Sequence, residues 1–350
     1  MANRHLPHDL KQMQSLPLEA KIIMTQQRIR QWYEHWEGEV YVSFSGGKDS
    51  TVLKHIVDGM YDDVPSLFVN TGLEYPEIQK FAMSQPNVIT VRPEMRFDEV
   101  LKQYGYPVIS KQTAQVIREA KIGIQKNDGS YAYRIAKLNG TLKKDDGTRS
   151  QFNCEKWKFM LDAPFDVSEQ CCNVMKKKPL KAYEKDTGRK PIMGIMADES
   201  RGRYFDWLRY GCNSFETKRV ASRPMSFWTE QDVLQYIKKY NVPYCSVYGD
   251  IVPTDDGEQF EGQLTTFDLL NDYEGTQLKT TGYDRTGCIF CMFGCHLETE
   301  PNRFQRLKQT HPRQYEYCIN GGEMVDGKWQ PNKEGLGLGK VLDYINVDYK

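Results

Sequence analysis

Neither sign of charge dominates this 350-residue chain, in which 47 lysines and arginines balance 47 aspartates and glutamates. No global field therefore draws it to nucleic acid or an anionic membrane, and a nucleic-acid partner would need a local patch. Apolar runs long enough to span a bilayer are absent, and Met1 to Ser15 lack the apolar core of an export signal. The expected location is the cytoplasm, with no membrane partner. There is no low-complexity tract and no internal repeat, which excludes a solenoid or a disordered chain. The Walker A pattern, Gly-x-x-x-x-Gly-Lys-Ser/Thr, is also missing. What remains is a globular composition, 39% hydrophobic and 27% charged, long enough for one large domain or two.

Cysteine, by contrast, is plentiful at nine residues. In a reducing compartment these are not expected to be structural disulfides, so metal binding, catalysis or plain burial must explain them.

Along the chain, residues 18 to 36 read as an amphipathic helix carrying Ile22, Ile23, Ile29, Trp32 and Trp36. Val40, Val42 and Phe44 read as a strand running into a glycine loop, and Thr51 to Met60 resumes a helical pattern. Further strands are expected at Ser66–Asn70, Asn87–Val91 and Ile192–Ala197, with helices near Pro76–Ser84 and Phe97–Tyr104. Strand alternating with helix predicts an α/β fold: a Rossmann-like parallel sheet with helices on both faces. Residues 108–190, rich in lysine and Gly/Asp turns, read as a large insertion within a nucleotide-binding domain spanning 1–230. Residues 231–350 form a cysteine-containing C-terminal region, opening on a helix with Thr229 as N-cap and Asp232 at its third position.

The loop Ser45-Gly46-Gly47-Lys48-Asp49-Ser50, between strand and helix, is an anion trap. Glycines let backbone N–H groups approach phosphate without a Cβ in the way, and the helix presents its positive end. Ser45 and Ser50 offer hydroxyls, Lys48 a neutralising charge, and Asp49 a ligand for magnesium or an anchor for the turn. A tight strand-to-helix turn would also use Gly-Gly, but not all six residues. The segment resembles the PP-loop signature, Ser-Gly-Gly-x-Asp-Ser, of the adenine nucleotide alpha-hydrolase superfamily, which includes ATP pyrophosphatases, tRNA-thiolating enzymes and the sulfonucleotide (PAPS and APS) reductases. Phe68 to Pro76, containing Asn70-Thr71-Gly72, is similar to the reductases' second segment, with Asn70 where Asp is usual. Tyr104-Gly105-Tyr106-Pro107 has the same look. The resemblance implies an adenine nucleotide (ATP, APS or PAPS) bound by Ser45, Gly46, Gly47, Lys48, Asp49, Ser50, Asn70, Thr71 and Gly72.

Cys171-Cys172 and Cys288-x-x-Cys291 are spaced too closely for ready disulfides but suit a soft metal centre. Four thiolates from two segments fit structural zinc or a four-iron cluster, and the vicinal pair favours the cluster, which offers separate corners. Cys171 to Leu180 also resembles the segment that holds [4Fe-4S] in assimilatory APS reductases, and this implies Cys171, Cys172, Cys288 and Cys291 as ligands. Cys154, Cys212, Cys245 and Cys318 read as small buried hydrophobes, and Cys295 as a substitute ligand or a lining residue of the cluster pocket; its neighbour His296 makes only a weak case for a nucleophile with its base. The basic run from Lys176 to Lys190 reads as a solvated surface, or, as the resemblance implies, as placing Lys176 or Lys177 to steady an anionic substrate or the cluster sulfides. Gly194 to Arg203 is similar to the reductases' nucleotide-proximal arginine stretch, which makes Arg203 or Arg201 the sulfate or phosphate contact and Lys48, Asp49 and Arg203 the catalytic set.

The family's C-terminal Glu-Cys-Gly-x-His does not occur in Gly335 to Lys350. Three functions therefore stay open. One is a sulfonucleotide reductase fed by a thioredoxin-like donor. A second is an ATP-dependent sulfur transfer to tRNA or DNA, with Mg2+ on the pyrophosphate and a cysteine desulfurase as partner. The third is a non-catalytic nucleotide or redox sensor. Association into a homo-oligomer is compatible with all three.

Overall fold

Strand β1 (Val40–Phe44) is buried along almost its whole length, as a central parallel strand covered on both faces must be. The computed structural model describes residues 4–215, 217, 220–254 and 277–350. In chain order, α1 (Pro7–Gln14) and α2 (Leu18–His35) precede β1, followed by α3 (Lys48–Asp58), β2 (Ser66–Val69), α4 (Pro76–Ser84) and β3 (Val88–Val91). Next come α5 (Phe97–Tyr104), β4 (Val108–Ile109), α6 (Lys111–Lys126), α7 (Ala132–Leu138) and α8 (Lys178–Thr187). Then β5 (Lys190–Met193), α9 (Arg201–Tyr210), β6 (Asn213–Ser214), β7 (Ala221–Ser222) and α10 (Glu230–Tyr240) lead to β8 (Ile251–Pro253) and β9 (Leu278–Thr280). Last are β10 (Met292–Phe293), α11 (Arg303–Thr310), α12 (Pro312–Ile319), the hairpin β11–β12 (Glu323–Val325 and Lys328–Gln330) and α13 (Leu338–Tyr344).

By internal contacts the chain divides into two units. The first holds Met1–Asn70, Glu74–Arg92 and Leu180–Thr286; the second holds Thr71–Leu73, Pro93–Pro179 and Gly287–Lys350.

In the first unit the sheet order is β3-β2-β1-β5-β7-β6. All pairings are parallel except β6 with β7. Val42 stands beside Ser66 on one side and Ile192 on the other. The chain moves outward from β1 through β2 to β3, then returns to the far side of β1 as β5. With right-handed crossovers those two sets of connections cover opposite faces, and the reversal leaves a crevice at the C-terminal ends of β1 and β5, where open α/β sheets bind ligands. The expected strand over Ile192–Ala197 is Lys190–Met193 instead, because the chain leaves the sheet at Gly194. A Cβ on Gly194 would lie 3.0 Å from the Asp49 carbonyl oxygen, so this glycine lets the two loops touch.

The core of this unit gathers Trp32, Trp228, Ile29 and Leu53. Across it, Lys21 of α2 places Nζ 2.7 and 2.8 Å from the two carboxylate oxygens of Asp232 in α10. Asp232 also accepts from the Thr229 amide at 2.6 Å and its hydroxyl at 2.8 Å, completing the capping box.

The second unit is organised on the short segment Tyr106–Ile109. Tyr106 bridges to Val167, and β4 pairs in parallel with β10, Val108 beside Met292 and Ile109 beside Phe293. Gly105, at φ +100°, permits the first of these contacts: a Cβ there would lie 2.3 Å from the Asp166 carbonyl oxygen. Two helices, α6 and α7, flank the expected turn at residues 127–129, α6 being capped by Ser110, whose hydroxyl accepts from the Thr113 amide at 3.1 Å. No helix among the described residues is long and apolar enough to cross a membrane.

Candidate nucleotide and cysteine sites

The loop after β1 turns through Gly46 at φ +74°, where a Cβ would stand 3.0 to 3.1 Å from Ile78 and Ala82. Gly47 is the N-cap of α3. Hydroxyls tie the loop together: Ser45 Oγ lies 3.0 Å from Ser50 Oγ, the Gly47 amide donates to Ser45 Oγ at 3.3 Å, and Ser50 Oγ donates to the Gly47 carbonyl at 2.9 Å. The helix accordingly begins at Lys48, three residues before the expected Thr51, because the loop and the first turn are one structure.

Around it stands a ring of side chains, Arg203 among them, most of which the sequence did not announce. The Lys48 amide donates to the Tyr248 hydroxyl at 3.3 Å, which in turn lies 2.7 Å from Thr286 Oγ1. Lys48 itself is buried, its ammonium 2.7 Å from the Asp284 carbonyl and 3.1 Å from Glu230. Arg203, in the first turn of α9, pairs with Glu199, whose other oxygen faces Arg285 at 4.0 Å. Asp49 Oδ1 is buried and accepts no hydrogen bond, the Lys48 ammonium being 3.7 Å away. Burial raises the Asp49 carboxyl above its ordinary range, Lys48 opposing and Glu230 adding to the rise. Burial also lowers Arg203 and pushes the Tyr248 phenol up to about 12. Two arginines, one lysine, a helix N-terminus and an unsatisfied carboxylate make a site for a polyanion and its cation. One carboxylate suffices for magnesium, which keeps waters and takes its other ligands from phosphates.

Asn70 ends β2, its amide donating to the Val91 carbonyl at 2.8 Å. Thr71 and Gly72 belong to the second unit, where Thr71 Oγ1 accepts from the Leu73 amide at 3.1 Å and Gly72 holds φ +71°.

The cysteine pairs also lie in the second unit. From its Val167 bridge to Tyr106 the chain reaches Cys171-Cys172 and then one π-helical stretch, Asn173–Lys177, a distortion frequent at functional sites. Cys288 and Cys291 form a tight turn closed by a 3.0 Å amide-to-carbonyl bond just before β10. The tie to β10 is held by Ile109, which adopts φ +67° and accepts from the Gly294 amide at 2.8 Å. That conformation costs a β-branched residue about 1–3 kcal/mol. Cys171 Sγ donates to Cys172 Sγ at 4.0 Å. This bond raises the Cys171 thiol, with burial and the charges of Cys172, Cys291 and Cys288 adding. The same bond lowers Cys172 to about 5, helped by Lys111 and Lys176 against burial. Arg303 donates to the Cys291 carbonyl at 2.8 Å and pairs with Glu298.

Among the described residues no three His, Cys, Asp or Glu side chains converge as ligands of one metal ion. Four thiols within electrostatic reach of one another are the donor set a cluster would use, with each sulfur on a different iron. Lys111, Lys176 and Arg303 would offset thiolate charge there.

Burial pushes Cys295 up to about 12 and raises Cys154, Cys212, Cys245 and Cys318.

Compared with known proteins, residues 39–122 and 107–293 match the family model described as phosphoadenosine phosphosulfate reductase domain. An uncharacterized protein of Methanocaldococcus jannaschii is 22% identical over 296 residues, 83% of this chain and 43% of that protein. The adenosine 5'-phosphosulfate reductase of Staphylococcus haemolyticus is 26% identical over 172 residues, 47% of this chain and 61% of that one. The chain spans between 32% and 61% of the length of the curated relatives it matches. A crystal structure of phosphoadenylyl-sulfate reductase from Candida auris, a phosphate complex, aligns over 70% of this chain and 92% of its own at 15% identity, with a TM-score of 0.35.

Proposed function

The chain belongs to the phosphoadenosine phosphosulfate reductase domain family, and from that premise we propose a sulfonucleotide reductase-type enzyme that binds APS or PAPS on the Ser45–Ser50 loop and carries a [4Fe-4S] cluster on Cys171, Cys172, Cys288 and Cys291. The observation that carries this reading is the gathering of the two cysteine pairs through Tyr106–Ile109, with thiols that sense one another. A bound cluster would supply a polarisable metal centre held by thiolates. The chain's own residues do the rest. Gly46 and Gly47 admit the phosphate to the N-terminus of α3, and Lys48 turns from Glu230 and the Asp284 carbonyl toward it. Arg203 supplies a guanidinium fork for the sulfuryl or phosphoryl oxygens. A thioredoxin-like dithiol supplies the two electrons that release sulfite and the nucleoside phosphate.

Anaerobically purified protein given APS or PAPS and a dithiol donor should form sulfite; none from either substrate sinks the reading. Absorbance near ~410 nm should fall when Cys171 or Cys288 is changed to Ser, and a zinc-only metal content would remove the cluster.

A second reading, ATP-dependent sulfur transfer to tRNA or DNA with a cysteine desulfurase as donor, is favoured by one specific observation. All five cysteines outside the two pairs carry thiols raised by burial, so none is poised to take a sulfur group as a thiolate. In that chemistry Asp49 would hold Mg2+ on the departing pyrophosphate. Pyrophosphate released from ATP, without sulfite from APS, would select it; neither product would leave a nucleotide or redox sensor.

A further inference from the structure

At its C-terminus α9 stops on Gly211, φ +67°, where a Cβ would lie 2.7 Å from His5 Nε2. Glycine is therefore what allows the N-terminal segment to close on the helix end. Arg4 and His5 both donate main-chain N–H groups to the Leu208 carbonyl, at 2.9 and 3.0 Å. The His5 ring stacks on Trp207 with centroids 4.8 Å apart. Beneath this strap lies a cavity of about 370 Å³, walled in part by Arg4, His5, Arg28, Gln31, Trp207 and Phe215, with no aspartate or glutamate among the described residues that line it. That volume falls within the range of small-molecule sites.

Among the described residues neither Arg4 nor Arg28 has a carboxylate partner. Arg28 is steadied one turn along α2 by Gln31, whose Oε1 accepts at 3.2 Å, and it faces the buried Cys212 thiol. The Trp207 indole nitrogen, near that thiol, is buried and has no hydrogen-bond partner among the described residues. Surface arginines usually meet carboxylates or open water. Two of them left without acids in an aromatic-walled hollow make a positive site whose forks match oxyanions and whose walls match a flat ring. None of the lining residues belongs to the Ser45–Ser50 loop or its ring of side chains.

We infer that this pocket is a second ligand site, taking a small planar aromatic anion of nucleoside monophosphate size. The ring lies against Phe215 and the His5–Trp207 stack, and the phosphate meets Arg4 and Arg28. Its occupancy adds contacts between the N-terminal strap, α2 and α9, and gives the chain a nucleotide site apart from the loop after β1.

The test is calorimetric titration of the full chain with AMP, adenosine and inorganic phosphate. AMP should fill a class of sites that persists in the loop variant Ser45→Ala/Ser50→Ala and weakens about tenfold or more in Arg28→Ala, the scale of one lost charge-assisted hydrogen bond. Phe215→Leu should weaken it too. Arg4 is exposed, so Arg4→Ala supplies a second variant should Arg28→Ala not fold, with circular dichroism confirming structure. Adenosine or phosphate alone binding as tightly as AMP would overturn the ligand class. AMP binding that vanishes in the loop variant and ignores both arginines would overturn the site. If instead the nucleotide assignment of the loop is at fault, the arginine-dependent class stays and only the loop-dependent one is missing.

Discussion

A buried carboxylate oxygen without a hydrogen bond is costly, and among the described residues Asp49 keeps one in the Ser45–Ser50 loop. Its carboxyl titrates above the ordinary value of 3.8, burial being the largest cause. The folded chain therefore holds that proton more tightly than the unfolded chain. The stabilising contribution is fully present below the unfolded value and is lost as pH rises through the folded one. At neutral pH the penalty is complete, so Asp49→Asn should melt at a higher temperature than the parent at pH 7. The gap should close as pH falls toward about 4, while affinity for Mg2+ and nucleotide drops. A lower melting temperature at pH 7 would mean that the pull of Lys48 outweighs burial. Gly46 carries the opposite balance. At φ +74°, with Ile78 and Ala82 at the would-be Cβ, Gly46→Ala should cost about 1–3 kcal/mol in urea unfolding along with phosphate binding. The loop's six residues were legible because their spacing is local. Tyr248, Thr286, Glu230 and Arg285 were not: each arrives from a distant stretch of chain with no pattern of its own.

At the scale of elements, α2 and α10 are joined through the Lys21–Asp232 pair, whose side chains are 3% and 9% exposed. Asp232 is at once cap and counter-ion. Removing it as Asp232→Ala leaves an ammonium buried without its charge and should cost about 3–5 kcal/mol. Lys21→Met should cost clearly less, since Asp232 keeps the Thr229 amide and hydroxyl; denaturant midpoints of the two variants check the order. The cap itself could be read from Thr229 and Asp232, as β1 to β3 could from their apolar runs. Other elements left no trace. β6 and β7 are two residues each, too short for alternation to register. α9 was obscured because its start, Arg201-Gly202-Arg203, reads as a polar strand end until Ser200 caps it. In the lysine-rich stretch, α6 is stabilised by tertiary packing of Ala114, Val116, Ile117 and Ala120, which propensity alone does not announce.

On the scale of the whole chain, the sequence named both cysteine pairs but not what brings them together. That is the short segment 106–109, tied to Val167 on the way to Cys171 and to Met292 just after Cys291. Two-residue pairings like β4 with β10 are too brief to hold distant segments by hydrogen bonds alone, and the strained Ile109 adds to their cost. Metal ligation would supply the missing constraint, since binding to ligands absent from the unfolded chain adds to folding stability. On the proposed cluster reading, removing iron with a chelator under reducing, anaerobic conditions should therefore speed amide exchange over 106–109, 166–172 and 288–294. Gly105→Ala should do the same without a chelator. Its Cβ would meet the Asp166 carbonyl at 2.3 Å, displacing the segment that carries Cys171 and Cys172, so the variant should lose most of its iron. Gly147 has a similar φ of +77° with open space around it. Gly147→Ala thus pays only the backbone strain and should keep its iron. Equal iron loss in both variants would assign the effect to general destabilisation of the second unit, and unchanged iron in Gly105→Ala would mean that the segment does not set the cysteine geometry.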